Sequence, residues 1–283
     1  MQSGKPPREI LYDFLDEVYQ KLEYWLGPDN FELIPYWNRV FVSHTSHDKD
    51  YIMDRLIPPI ERIVKGSWSA SSIFCLDYSF GILGMGYGQM VGGALLSSAS
   101  MVIVLSKTIM DSEWCKAEID WILENKKDRT TCILVEPLDP TLIHEEIPHL
   151  PCFSLFSGDA SEMEAFLTQL SQWREDQKAL WERELAEKKV KLPRFGLRDV
   201  LVKTNSGDLL LYTLTHHVYQ KPVMLYSEVI SPLLCKNCGR PAQDSSFYCS
   251  CGTEYAMPTS CPHCGNEIKG LLTGRCEFCG GKF

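Results

Sequence analysis

Positive charge is in short supply in this sequence. Across 283 residues, 28 Lys and Arg stand against 37 Asp and Glu, a net of −9. Phosphate backbones are held by clustered cations, so general nucleic-acid binding is not expected. Long apolar runs are missing as well. From Tyr78 to Ser106 there is no charged residue, yet Gly81, Gly84, Gly86, Gly88, Gly92 and Gly93 interrupt the stretch. A membrane-spanning helix needs about 20 largely apolar residues, so this segment reads as loop, short helix and buried strand, and no membrane contact is expected. The opening residues lack the apolar centre of a secretory signal, which points to a reducing, cytoplasmic setting. Hydrophobic content of 45 % and charged content of 23 % exclude a wholly disordered or fibrous chain.

Cysteine, by contrast, is abundant, and eight of the twelve lie between Cys235 and Cys279. Their spacing is Cys235-x2-Cys238-x10-Cys249-x-Cys251, then Cys261-x2-Cys264-x11-Cys276-x2-Cys279. Gly239, Gly252, Gly265 and Gly280 follow the second cysteine of each pair. In a reducing setting such pairs read as thiolate ligands rather than disulfides, and two structural zinc ions are expected. The pattern resembles a double zinc ribbon, with Cys249-Ser250-Cys251 one residue short of the usual knuckle. Four thiolates leave no open position on the metal, so catalysis by zinc is not expected. Lys236, Arg240, Lys269, Arg275 and Lys282 nearly balance Asp244, Glu254, Glu267 and Glu277. A structural or protein-docking tail fits that balance better than a phosphate-binding one.

Periodicity divides the rest of the chain. Residues 8–26 place Leu11, Phe14, Leu15, Val18 and Leu22 at helical spacing, ended by Gly27-Pro28. This N-terminal unit, 1–36, either packs on its neighbour or serves self-association. Residues 38–175 alternate strands, at 40–42, 73–76, 101–105 and 132–135, with helices at 48–64, 112–126 and around Met163 to Trp173. That order implies a parallel sheet covered on both faces, with ligands beyond the carboxyl ends of the strands. A charged segment, 176–195, reads as a solvated linker helix. In a β region, 196–232, Asn205-Ser206-Gly207-Asp208 marks a hairpin. His216 and His217 are neighbours on a strand and face opposite ways, so they read as structural. The zinc-ribbon unit is 233–283. Gly84-x-Gly86-x-Gly88 matches no phosphate-binding motif and reads as loop.

Three segments carry a further resemblance. Arg39-Val40-Phe41-Val42-Ser43-His44-Thr45-Ser46-His47-Asp48, Ala99 to Ser106, and Ser112-Glu113-Trp114-Cys115-Lys116-Ala117-Glu118-Ile119 are similar to the TIR (Toll/interleukin-receptor) family over residues 38–175. The resemblance implies an α/β, flavodoxin-like parallel sheet with helices on both faces. It also implies signalling by self-association or contact with other TIR domains. Within the family, one class only scaffolds, with the ribbons here as a docking module. The other class hydrolyses NAD to nicotinamide and ADP-ribose or a cyclic form, using a glutamate that aligns with Glu118. NAD is then a substrate rather than a cofactor. Ser43, His44, Thr45, Asp77, Phe80 and Trp114 fall at the implied NAD-binding rim. Two departures stand out: Asp77-Tyr78-Ser79-Phe80-Gly81 lacks the Arg and Pro common in animal receptors, and Thr45-Ser46 replaces cations found in enzymatic relatives. On a partly exposed helix, Glu118→Gln is expected to leave stability almost unchanged.

Overall fold

The computed structural model describes residues 4–64, 73–75, 87–187, 199–213 and 223–224. The eight clustered cysteines, Asp77, Phe80 and the His216–His217 pair lie outside the described residues. In chain order the main elements are α1 (Pro7–Leu26), β1 (Phe31–Ile34), β2 (Tyr36–Ser43), α2 (Lys49–Tyr51), α3 (Ile57–Val64), β3 (Ile73–Cys75) and α4 (Tyr87–Ser97). After them come β4 (Ser98–Leu105), α5 (Glu113–Asn125), β5 (Thr130–Leu134), β6 (Cys152–Ser154), α6 (Ala160–Glu187), β7 (Asp199–Thr204), β8 (Leu209–Thr213) and β9 (Val223–Met224). Between α2 and α3 the helix widens into a π turn at Ile52–Leu56. Pro58 and Pro59 follow it and lack the N–H groups that a regular ladder would use there.

Five parallel strands form the central sheet in the order β3-β2-β4-β5-β6. This is the flavodoxin-like order, whose topological switch falls between the first and third strands, here β2 and β4. All eight residues of β4 are buried, as expected for a strand covered on both sides. Successive side chains serve opposite layers. Phe41, Met101, Ile103 and Leu105 join α1, α4 and α5 on one face. Val40, Val42, Val102 and Val104 join Ile52, Leu56, Ile60 and Phe166 on the other. The alternating pattern in the sequence therefore gives a three-layer α/β unit.

Helix α1 packs as part of that unit. Leu11, Phe14, Leu15, Val18 and Leu22 are buried in the layer that contains α4 and α5. At Gly88 an added Cβ would stand 2.5 Å from Ile10 Cγ2, and at Gly92 it would stand 2.8 Å from Phe14 Cε1. Gly88 thus belongs to a helix rather than to the loop expected from its spacing, because the two glycines let α1 approach α4 closely. Arg8 Nη1 to Asp120 Oδ2 at 2.6 Å and Tyr12 Oη to Glu124 Oε2 at 3.1 Å tie α1 to α5. Of the two readings of this helix, packing on the adjacent domain describes its apolar face.

A second, antiparallel sheet runs β1-β7-β8-β9. The expected hairpin is present, and it pairs with a strand from the other end of the chain: Phe31 opposes Thr204 and Ile34 opposes Leu201. Val200, Val202, Leu210 and Tyr212 face the layer of α1 and α4. Ile34, Leu201 and Leu209 face Trp181 and Leu185 of α6. The expectation of a solvated charged linker is therefore corrected over residues 176–187. Most of its charges mark the outer side, while Gln177, Trp181, Glu184 and Leu185 form a buried stripe in which Glu184 accepts from Lys203 Nζ at 2.7 Å. The Trp181 indole N–H donates to Pro35 O at 2.9 Å. Among the described residues, no helix is long and apolar enough to cross a membrane.

Candidate functional site

The switch between β2 and β4 gathers the polar groups. Beyond Ser43 the chain leaves β2 through His44 and Thr45. Beyond Leu105 it leaves β4 through Ser106 to Thr108. Thr45 Oγ1 and Ser106 Oγ both donate to Asp48 Oδ2 at 2.8 Å. Thr108 Oγ1 lies 3.0 Å from Thr45 Oγ1 and 3.1 Å from Ser106 Oγ. One carboxylate and three hydroxyls thereby lock the two strand exits together.

Helix α5 enters the same corner. Ser112 caps it, accepting the Cys115 N–H on Oγ at 3.2 Å. From that start, Trp114 and Glu118 fall four residues apart on one face. Glu118 is only 5 % exposed, and its Oε2 accepts a hydrogen bond from Ser43 Oγ at 2.6 Å. Burial pushes the Glu118 carboxyl up to about 7, opposed by the Ser43 hydrogen bond. Nearby, the Cys115 thiol donates to His44 O at 3.3 Å. Burial, reinforced by the Glu118 charge, raises that thiol to about 12. Cys115 is therefore a packed thiol, not a nucleophile.

A cavity of about 150 Å³ opens here. Its floor includes Phe41 and Val42 of β2, and Glu118 and Cys115 stand on the α5 side. Tyr87 and Trp114, with ring centroids 4.4 Å apart at 74°, form an edge-to-face wall. Among the described residues, no Lys or Arg lines the cavity. A larger hollow of about 500 Å³ lies along Met163, Leu167 and Ser171 of α6. Its walls come from that one helix, and no buried polar groups converge there. The smaller cavity, built from β2, α4 and α5, is the better candidate.

The structure brings together four of the residues singled out from sequence: His44, Thr45 and Trp114 line the cavity with Glu118. Ser43 lies beneath Glu118 and is not part of the wall. The expected tolerance of Glu118→Gln is revised, because the side chain is buried rather than partly exposed. Tyr87 escaped the sequence reading because it sits in a glycine-rich run with no helical periodicity. The chain matches no protein-family model and no curated protein sequence.

Proposed function

We propose that the chain is a TIR-domain signalling protein that hydrolyses NAD, with Glu118 as the carboxylate beside the ribose. One observation carries the reading: a buried glutamate faces an aromatic wall in a cavity at the carboxyl end of the switch strands. Cleavage breaks the bond between ribose C1 and the pyridinium nitrogen. The electron pair goes to nitrogen, nicotinamide leaves neutral, and no general acid is needed. Positive charge develops on the ribose, as in glycoside hydrolysis, and the Glu118 carboxylate stabilises it. Water adds to C1 and releases one proton. Tyr87 and Trp114 suit a cationic ring, since aromatic faces attract cations. The cavity matches one ring and part of a sugar in size, so the diphosphate and adenosine extend beyond it.

The tail enters this proposal as structure, not chemistry. Eight thiols in four close pairs suit two tetrahedral zinc ions held by Cys235, Cys238, Cys249, Cys251, Cys261, Cys264, Cys276 and Cys279. Self-association through TIR contacts completes the reading, in an innate-immune or cell-death type of pathway inside the cell.

A second reading, a non-enzymatic TIR scaffold, is favoured by the depth of Glu118, which makes the glutamate a packing and hydrogen-bonding element. Nicotinamide release by the purified full chain at rising protein concentration separates the two. Turnover that increases per molecule with concentration supports an assembling enzyme; none at any concentration leaves the scaffold.

A further inference from the structure

The hydrogen bond beneath the cavity has a role separate from substrate contact. Ser43 is the last residue of β2, and its backbone is fixed in register against Ile103 of β4. It is 1 % exposed and absent from the cavity wall, so a ligand meets Glu118 and not Ser43. Among the described residues, Glu118 Oε2 has Ser43 as its donor and Oε1 has none, which leaves Oε1 for a ligand. We propose that Ser43 is a positioning residue: its hydroxyl, anchored by the sheet, clamps one carboxylate oxygen so that the other is presented to the cavity in its charged form. This rests on the reading of Glu118 as the ribose-facing carboxylate.

The surroundings make that donor decisive. Among the described residues, the titratable groups near Glu118 are Cys115 on its own helix, His44 just beyond β2 and Tyr87 at the start of α4. Asp48 lies beyond Cys115. Helix α1, packed on the same α5, brings Arg8 and Tyr12 to Asp120 and Glu124. Among the described residues no lysine or arginine lines the cavity, so none of them holds the carboxylate charged. Burial favours the protonated form, and among the described residues the opposing influence is the Ser43 hydroxyl. A hydroxyl donating to a carboxylate stabilises the charged form more than the neutral one.

The test uses the full chain carrying isotope-labelled glutamate, with Glu118→Gln identifying the Glu118 signal. The carboxyl is titrated by NMR in wild type, Ser43→Ala and Ser43→Thr. The expected result is a midpoint raised by about one pH unit or more in Ser43→Ala and kept near the wild-type value in Ser43→Thr. Should Ser43→Ala fail to fold, Ser43→Cys, close in size and a weak donor, raises the midpoint in the same direction. Nicotinamide release gives a second readout. The acid limb of its pH profile moves up with the midpoint, turnover near neutral pH falls about tenfold, and alkaline pH restores it. An unmoved midpoint overturns the proposal, as does a loss of turnover equal at every pH, which describes a residue that only packs. A raised midpoint in a protein with no turnover upholds the clamp and removes the hydrolysis reading.

Discussion

Phe14 lies over Gly92 with no room for a side chain between them: a Cβ on that glycine would come within 2.8 Å of the ring's Cε1. The contact sets the separation of α1 and α4, and α4 carries Tyr87 at its first turn. In an exposed helix, Gly→Ala stabilises by about 1 kcal/mol. Overpacking a filled core costs about 1–3 kcal/mol. Phe14 is 4 % exposed and has nowhere to move, so Gly92→Ala is expected to give a net loss in denaturant unfolding. A gain in stability would show that α1 does not dock as described.

Glu118 gives a pH-dependent prediction whose sign follows from its burial. Its folded value, about 7, lies above the unfolded value of 4.5. The fold thus holds the proton more tightly than the unfolded chain. The stability this contributes is complete below the unfolded value and is lost as pH rises through the folded one. Glu118→Gln removes the ionisation and keeps an acceptor for Ser43. The variant should melt at nearly the wild-type temperature at about pH 4 and clearly above it at about pH 8, by roughly 3 kcal/mol at most. Parallel melting curves across that range would mean that the carboxyl is solvated.

In the aromatic wall, Tyr87→Ala tests recognition of a cationic ring. If NAD is the substrate, the expected effect is a rise in KM of roughly 3–30-fold with kcat less affected, the range of a partly desolvated cation–π contact. Steady-state nicotinamide release measures it. An unchanged KM would place the pyridinium elsewhere.

Trp181 is fully buried and donates to Pro35 O. Trp181→Ala should destabilise by about 3–5 kcal/mol, read by thermal unfolding. A loss within about 0.5 kcal/mol, the range of a surface site, would restore the view of a solvated segment.

Elemental analysis of the purified chain should find two zinc ions. Chelation should unfold the cysteine-rich tail while the far-ultraviolet signal of the α/β unit persists, because thiolate binding and folding are coupled. Disulfides detected in place of metal would overturn this.

Much of the parallel sheet was legible because its signals are local. Met101 to Leu105 is an uninterrupted apolar run, Ser112 caps a helix, and Ile52, Leu56 and Ile60 repeat at helical spacing. Glu118 was singled out through the family resemblance of residues 112–119, but its burial could not be read there, since that depends on β2 and α4 closing over it. Phe31–Ile34 gave no strand signal: four residues, Phe-Glu-Leu-Ile, without strict alternation form a strand by pairing with β7. The charged surface of residues 174–187 concealed Trp181 for a similar reason. Two of the four buried residues there, Gln177 and Glu184, are polar, so the apolar face is too sparse to read without the sheet it meets.

The pairing of β1 with β7 also has a consequence for how the molecule is made. Its partners lie more than half the chain length apart. During synthesis, α1 and β1 leave the ribosome early, while the strand that completes their sheet emerges after every element of the parallel sheet. Until then β1 lacks its pairing strand, and the nascent chain carries an unpaired edge of the kind that invites misassociation. Such a long closure also predicts slow final folding compared with the α/β unit itself. A separately expressed strand pair covering 196–213 should therefore rescue a chain truncated after 187, if the late closure is a docking step rather than a condition for the rest of the fold.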